Sequence, residues 1–159
     1  GPKIVDGETK SKMKKVLDLV LKKSDYSNSN ILIVKTKWNE EVIQPMLDDC
    51  SDVLTQVNAN FSTITVPGAF EIPFMVNNKA NSFDAVITLG AIIKGETPHF
   101  DIIAQSVSDQ VMTLGIELNK PIIFGVLTTN NIDQAIERSK TKGKELALST
   151  LALLDELDG

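Results

Sequence analysis

Apolar residues recur along this chain in two periods, and the alternation between them lays out the fold. From Lys10 to Lys23, Met13, Val16, Leu17, Val20 and Leu21 fall at helical spacing with lysines opposite, which predicts an amphipathic helix. A Ser/Asn-rich linker from Tyr26 to Asn30 leads into Ile31-Leu32-Ile33-Val34, a wholly apolar run suited to a strand buried on both faces. A second helix is expected to begin at Asn39, a favourable N-cap followed by Glu40 and Glu41 at the positive helix end. Val42, Ile43, Met46, Leu47, Cys50, Val53, Leu54 and Val57 form its apolar stripe, and Pro45 inside it predicts a kink.

The rest of the chain repeats the alternation. Phe61 to Val66 reads as a strand closed by Pro67-Gly68, with a short helix from about Ala69, and a third strand lies within Phe83 to Ile93. Thr97-Pro98 has the form of an N-cap with proline at the first helical position, opening a helix to about Leu118. Pro121 to Val126 makes a fourth strand, and Asn131 with Gln134 forms a capping pair for a last helix ending near Leu157. Four apolar strands alternating with helices predict an α/β protein, a three-layer flavodoxin-like domain with a four-stranded parallel sheet. The division expected is an N-terminal extension with its amphipathic helix over 1–30 and the α/β domain over 31–159.

Composition narrows the class. At 159 residues, 42% hydrophobic and 23% charged, the chain suffices for one domain with a sizeable core. A formal charge of -5, from 16 Lys+Arg against 21 Asp+Glu, argues against nucleic acid or an anionic membrane as partner, so any anionic ligand must be caught locally. Without an apolar run of membrane-spanning length or a leader pattern, a cytoplasmic protein is expected, or a mature form; Gly1-Pro2 reads as the remnant of a protease cut. One cysteine, Cys50, and one histidine, His99, leave no intrachain disulfide and no Cys-rich or His-pair metal motif.

In parallel sheets of this kind ligands bind outside the carboxyl ends of the strands. The candidate chemistry therefore belongs to the loops at 35–39, 67–71, 94–99 and 127–131. Trp38 follows a strand directly, where it either stacks on a flat heterocycle or covers the rim of the core. Gly90 to Thr97 has the spacing of a phosphate loop, but Glu96 stands where that motif needs lysine, which excludes a nucleoside triphosphate and leaves the helix-start amides as holders of one phosphate group. His99, expected in the first helical turn beside Glu96 and Thr97, is suited to exchanging protons near neutral pH, against the structural role a lone histidine more often has. Glu71 stands near another strand end. Gln134, Arg138 and Lys142 share one face of the last helix, where Arg138 can grip a phosphate or simply belong to a solvated face pairing with Glu137 or Glu145.

Five segments together resemble the lumazine synthase family: Trp38-Asn39, Val66 to Pro73, Leu89 to Asp101, Pro121 to Thr128, and Gln134 to Arg138, in family order and with family-like spacing. The resemblance covers roughly residues 31 to 157. It implies a transferase of riboflavin biosynthesis that condenses 5-amino-6-ribitylaminouracil with 3,4-dihydroxy-2-butanone 4-phosphate, releasing phosphate and water. It implies no metal and no organic cofactor. It places Trp38, Asn39, Ala69, Phe70, Glu71, Ala91, Ile92, Ile93 and Phe124 around the pyrimidine and ribityl groups, with Phe124 reaching into a neighbouring subunit's site. Glu96, Thr97 and Arg138 would hold the butanone phosphate, and His99 would be the catalytic proton shuttle.

The partners implied are small-molecule substrates, further copies of the chain in a pentamer-based homo-oligomer with active sites at subunit interfaces, and a functional link to riboflavin synthase. The second reading is a non-catalytic carrier of flavin or lumazine on the same fold. Glu96, Thr97, His99 and Arg138 weigh against it, since a carrier needs neither phosphate capture nor proton transfer.

Overall fold

The computed structural model describes residues 14–16 and 21–158. Strand β1 (Asn30–Thr36) leads to helix α1 (Glu40–Gln56), strand β2 (Asn60–Val66), a 3₁₀ turn (Ala69–Glu71) and helix α2 (Ile72–Lys79). After a second 3₁₀ turn (Ala80–Ser82) come strand β3 (Ala85–Ile93), helix α3 (Phe100–Leu118), strand β4 (Ile122–Thr129) and helix α4 (Ile132–Asp158). All strand pairs are parallel, in the order β2-β1-β3-β4. The architecture is the three-layer, flavodoxin-like one that the pattern predicts.

The apolar run of β1 is divided between two cores. Ile31 and Ile33 face the layer of α1 and α4, whereas Leu32 and Val34 face the layer of α2 and α3. All four are fully buried, as a strand covered on both faces requires. The α1 stripe of Val42, Ile43, Met46, Cys50, Val53 and Leu54 is buried in the first layer. Burial pushes the Cys50 thiol up to about 12, so it stays protonated and inert. Gly143 lets α4 lie directly on α1, because a Cβ there would stand 2.3 Å from the Met46 carbonyl oxygen.

Local differences from the predicted elements have identifiable causes. Helix α1 is continuous through Pro45; the amide that proline lacks would have reached the carbonyl of Glu41, an exposed residue that water can serve. Asn39 precedes α1 with φ 61° and its side chain makes no capping bond; its carbonyl instead accepts from the Val42 and Ile43 amides. Helix α3 begins at Phe100, later than Thr97-Pro98 suggests, because Thr97 is bridged back to Lys94 around Gly95 at φ 93°. The Asn131–Gln134 cap is present: Asn131 Oδ1 accepts from the Gln134 amide at 2.9 Å, and Gln134 Oε1 accepts from the Asn130 amide at 2.9 Å.

Most of the N-terminal helix expected over Lys10–Lys23 lies outside the described residues. Lys14–Val16 is helical, but Leu21–Lys23 is not. Leu21 and Tyr26 belong to the α1/α4 core instead. The Tyr26 hydroxyl donates to Asp155 Oδ1 at 2.6 Å, and the Lys22 amide donates to Asp155 Oδ2 at 3.0 Å. Asp155 is 4% exposed, so these two donors are what make its carboxylate tolerable inside the fold.

Candidate active site

Sheet order reverses between β1 and β3: from β1 the chain goes outward to β2, then crosses back to β3 on the other side. Beyond the carboxyl ends of β1 and β3, the place such topology reserves for ligands, is a cleft of about 320 Å³. Trp38 and Asn39 enter it from the end of β1, Ala69, Phe70 and Glu71 from the 3₁₀ turn after β2, and Ala91, Ile92 and Ile93 from the end of β3. Glu96 and Thr97 close one side from the loop before α3. Gly68, which the sequence marks only as part of the 67–71 loop, and Ile103, which it does not mark, also line the cleft. Gly68 was legible as a turn signal only; its importance comes from the Glu71 carboxylate, whose Oε2 lies 3.3 Å from where a Cβ would be.

The cleft presents a flat aromatic surface beside polar groups. Trp38 is 68% exposed and Phe70 66%, so both rings are open on the cleft side to a ligand or a neighbouring chain. Lys37 Nζ lies 5.8 Å from the Trp38 ring centroid. Asn39 Nδ2 donates to Glu96 Oε2 at 3.5 Å, a long contact that links the β1 loop to the β3 loop. The Glu96 amide is occupied by the Ile93 carbonyl at 3.1 Å, so it is not among the free donors of this loop. Those stand at the beginning of α3, where the first helical bond is from Ile103 to the carbonyl of His99.

His99 occupies the N-cap of α3, one position before the first turn in which the sequence places it. It is exposed and does not line the cleft; its amide donates to Thr97 Oγ1 at 3.4 Å, which ties it to a residue that does.

Two further candidates lie elsewhere. Phe124 and Arg138 line a second depression, of about 430 Å³, on the β4 and α4 side, with Thr128, Thr141, Lys142 and Glu145. Arg138 is exposed and its Nη1 donates to the Thr128 carbonyl at 3.3 Å rather than pairing with a carboxylate. Lys142 stands 4.0 Å from Glu145, whereas Gln134 is spent on the helix cap. A single chain therefore does not bring Arg138 into the cleft of Trp38. Among the described residues no three His, Cys, Asp or Glu are grouped to hold a metal, and no helix is long and apolar enough to cross a membrane.

A four-stranded parallel α/β sheet with an open aromatic cleft at its switch point defines a protein of the flavodoxin-like class. The family described as 6,7-dimethyl-8-ribityllumazine synthase matches residues 28–158. A protein of that name from Limosilactobacillus reuteri (strain DSM 20016) is 41% identical over 137 residues, 84% of this chain and 90% of the relative. Another, from Protochlamydia amoebophila (strain UWE25), is 38% identical over 145 residues, 86% of this chain and 84% of the relative. The chain belongs to the lumazine synthase family, transferases of riboflavin biosynthesis.

Proposed function

We propose that this protein condenses 5-amino-6-ribitylaminouracil with 3,4-dihydroxy-2-butanone 4-phosphate to give 6,7-dimethyl-8-ribityllumazine, phosphate and two waters. The observation that carries this reading is the convergence of Trp38, Asn39, Ala69–Glu71, Ala91–Ile93, Glu96 and Thr97 on one cleft at the switch point. In it Trp38 and Phe70 stack on or flank the pyrimidine, the β3 end supplies apolar and backbone contacts to its edge, and Glu71 accepts hydrogen bonds from ribityl hydroxyls. The free amides at the start of α3, with Thr97, take the phosphate of the four-carbon substrate.

Chemistry then follows from proximity and proton transfer. The ring amine attacks the ketone and water leaves as the imine forms. Phosphate is eliminated, and the ribityl-bearing nitrogen closes the second ring with loss of the other water. His99, exposed and next to the phosphate end, moves the protons of these steps. Holding both substrates in one cleft supplies much of the acceleration, because a bimolecular reaction becomes effectively intramolecular.

The separation of Arg138 and Phe124 from the cleft supports a site completed by a second copy of the chain, in a pentamer-based homo-oligomer. Phe74, Ile102, Met112 and Ile116, each at least 66% exposed on α2 and α3, supply apolar surface for such an assembly. The protein works in the cytoplasm on small molecules, and its product is the substrate of riboflavin synthase. Purified protein given both substrates is expected to release phosphate in step with the appearance of lumazine absorbance and fluorescence. Tight flavin binding without either signal at saturating substrate would replace the enzyme reading with the carrier one.

A further inference from the structure

Strand β3 is apolar throughout except for one residue, Thr88, whose side chain is fully buried. In the β3–β4 ladder Thr88 stands in register with Phe124. Its hydroxyl donates to the carbonyl of Ile123 at 2.8 Å and accepts from the amide of Gly125 at 3.1 Å. One hydroxyl can do both, since it carries one donor and two acceptor sites. The residues immediately before and after Phe124 are thereby tied to a single side chain on the neighbouring strand.

The position of this tie is informative. Strand β4 is an edge of the sheet among the described residues, paired on one side only, so its backbone has no second strand to hold it in place. Gly125 adds a second constraint: a Cβ there would lie 2.2 Å from the Thr88 carbonyl oxygen and 2.5 Å from Leu146 Cδ1. A one-residue slip of β4 would put a side chain into that space, so the register is locked where Phe124 faces Thr88. Phe124 itself is half-buried, packed against the α2/α3 core and lining the Arg138 depression.

We infer that Thr88 is a positioning residue for Phe124, fixing the backbone on both sides of it so that its ring is presented in one orientation at the subunit edge. This rests on the reading that Phe124 meets the pyrimidine substrate of a neighbouring copy. Thr88 touches no ligand itself; its effect on turnover passes through the aromatic ring beside it.

The test compares the assembled enzyme carrying Thr88→Val, Thr88→Ser, Phe124→Ala and the Val/Ala double substitution. Thr88→Val keeps the shape and removes both hydrogen bonds. It is expected to lower kcat/KM about tenfold, mainly by raising KM for the pyrimidine while KM for the butanone phosphate stays put, and Thr88→Ser is expected to restore most of the loss. In the Phe124→Ala background Thr88→Val should cost nothing more, because residues acting through one group are not additive. Additive losses, or a Thr88→Ser enzyme as impaired as Thr88→Val, would overturn the inference and leave the role of Phe124 standing. Full activity in Phe124→Ala would overturn both. Should Thr88→Val fail to assemble, 4-fluorophenylalanine incorporated into the Thr88→Ser enzyme reports directly: the ¹⁹F resonance that Phe124→Ala removes must stay as sharp as in the parent, and broadening of that line overturns the inference.

Discussion

The cleft and the depression are two binding surfaces made in different ways. The cleft is assembled from the ends of β1 and β3, the 3₁₀ turn after β2, the loop before α3 and Ile103 of α3, and it exposes two large aromatic rings beside the polar groups of Asn39, Glu71, Glu96 and Thr97. The depression is built on one strand and one helix, with Arg138 and Lys142 one turn apart on α4 and Phe124 on β4. Loops adapt to a flat organic ring of irregular outline, whereas a phosphate of fixed shape is best met by a guanidinium on a rigid rod. The comparison teaches that one chain keeps the two apart: no residue lines both, and the exposed rings of Trp38 and Phe70 stand in the cleft while Arg138 and Lys142 stand in the depression.

The largest expected effect tests that division directly. Trp38→Ala and Arg138→Ala should each lower kcat/KM about a hundredfold, the first mainly through the pyrimidine and the second mainly through the butanone phosphate. If the two halves come from different copies, unfolding and refolding the two variants together should recover about a quarter of the parent activity, because that share of interfaces pairs an intact cleft with an intact depression. A mixture no more active than its components would confine the site to one chain. Steady-state rates against each substrate, with light scattering to confirm assembly, decide the matter.

A smaller effect separates the scaffolds of the two halves. Gly143→Ala pushes a methyl group into the Met46 backbone and should cost about 1–3 kcal/mol, read as a lowered thermal midpoint. Since α4 carries Arg138, the surviving folded enzyme should show a raised KM for the phosphate substrate and an unchanged one for the pyrimidine. Equal changes in both would mean that α4 supports the cleft as well.

The smallest effect belongs to a region outside both surfaces. Tyr26→Phe removes one of the two donors to Asp155, leaving the Lys22 amide, and should cost about 1 kcal/mol with no change in either KM. Burial, and then the bond to Asp155, raises the Tyr26 phenol pKa above its ordinary value, and burial does the same to Cys50. Below the ordinary cysteine and tyrosine values, about 8.5 and 10, both groups are neutral folded and unfolded and their contribution is fully present. Above them the unfolded chain releases protons that the folded one keeps, so stability falls as pH rises. Urea midpoints between pH 8 and pH 11 should therefore decline, and less steeply in Tyr26→Phe.

Much of the fold was legible because its elements are strongly patterned. The wholly apolar run at 31–34 and the stripe from Val42 to Val57 each have one physical solution, burial on two faces or on one. The start of α3 was not legible, because the tie from Thr97 back to Lys94 is a tertiary contact that overrides the Thr-Pro signal. Nor was Tyr26, which sits in a Ser/Asn-rich stretch and is drawn into the core by an aspartate more than a hundred residues away. The loops that build the cleft could be read from the strand ends, since topology sends all strand ends to one edge, whereas Ala91, Ile92 and Ile93 came only with the family resemblance and His99, read together with Glu96 and Thr97, is not part of the lining. The remoteness of Arg138 could not, because helical periodicity gives the face of α4 but not which loop that face meets.

The division of labour has a consequence for inheritance. Residues lining the cleft run from Trp38 to Ile103, and those lining the depression from Phe124 to Glu145, without overlap along the chain. A single genetic crossover falling within α3, after Ile103, would exchange the arginine-bearing surface of this protein for that of a relative while leaving every residue that lines the cleft in place.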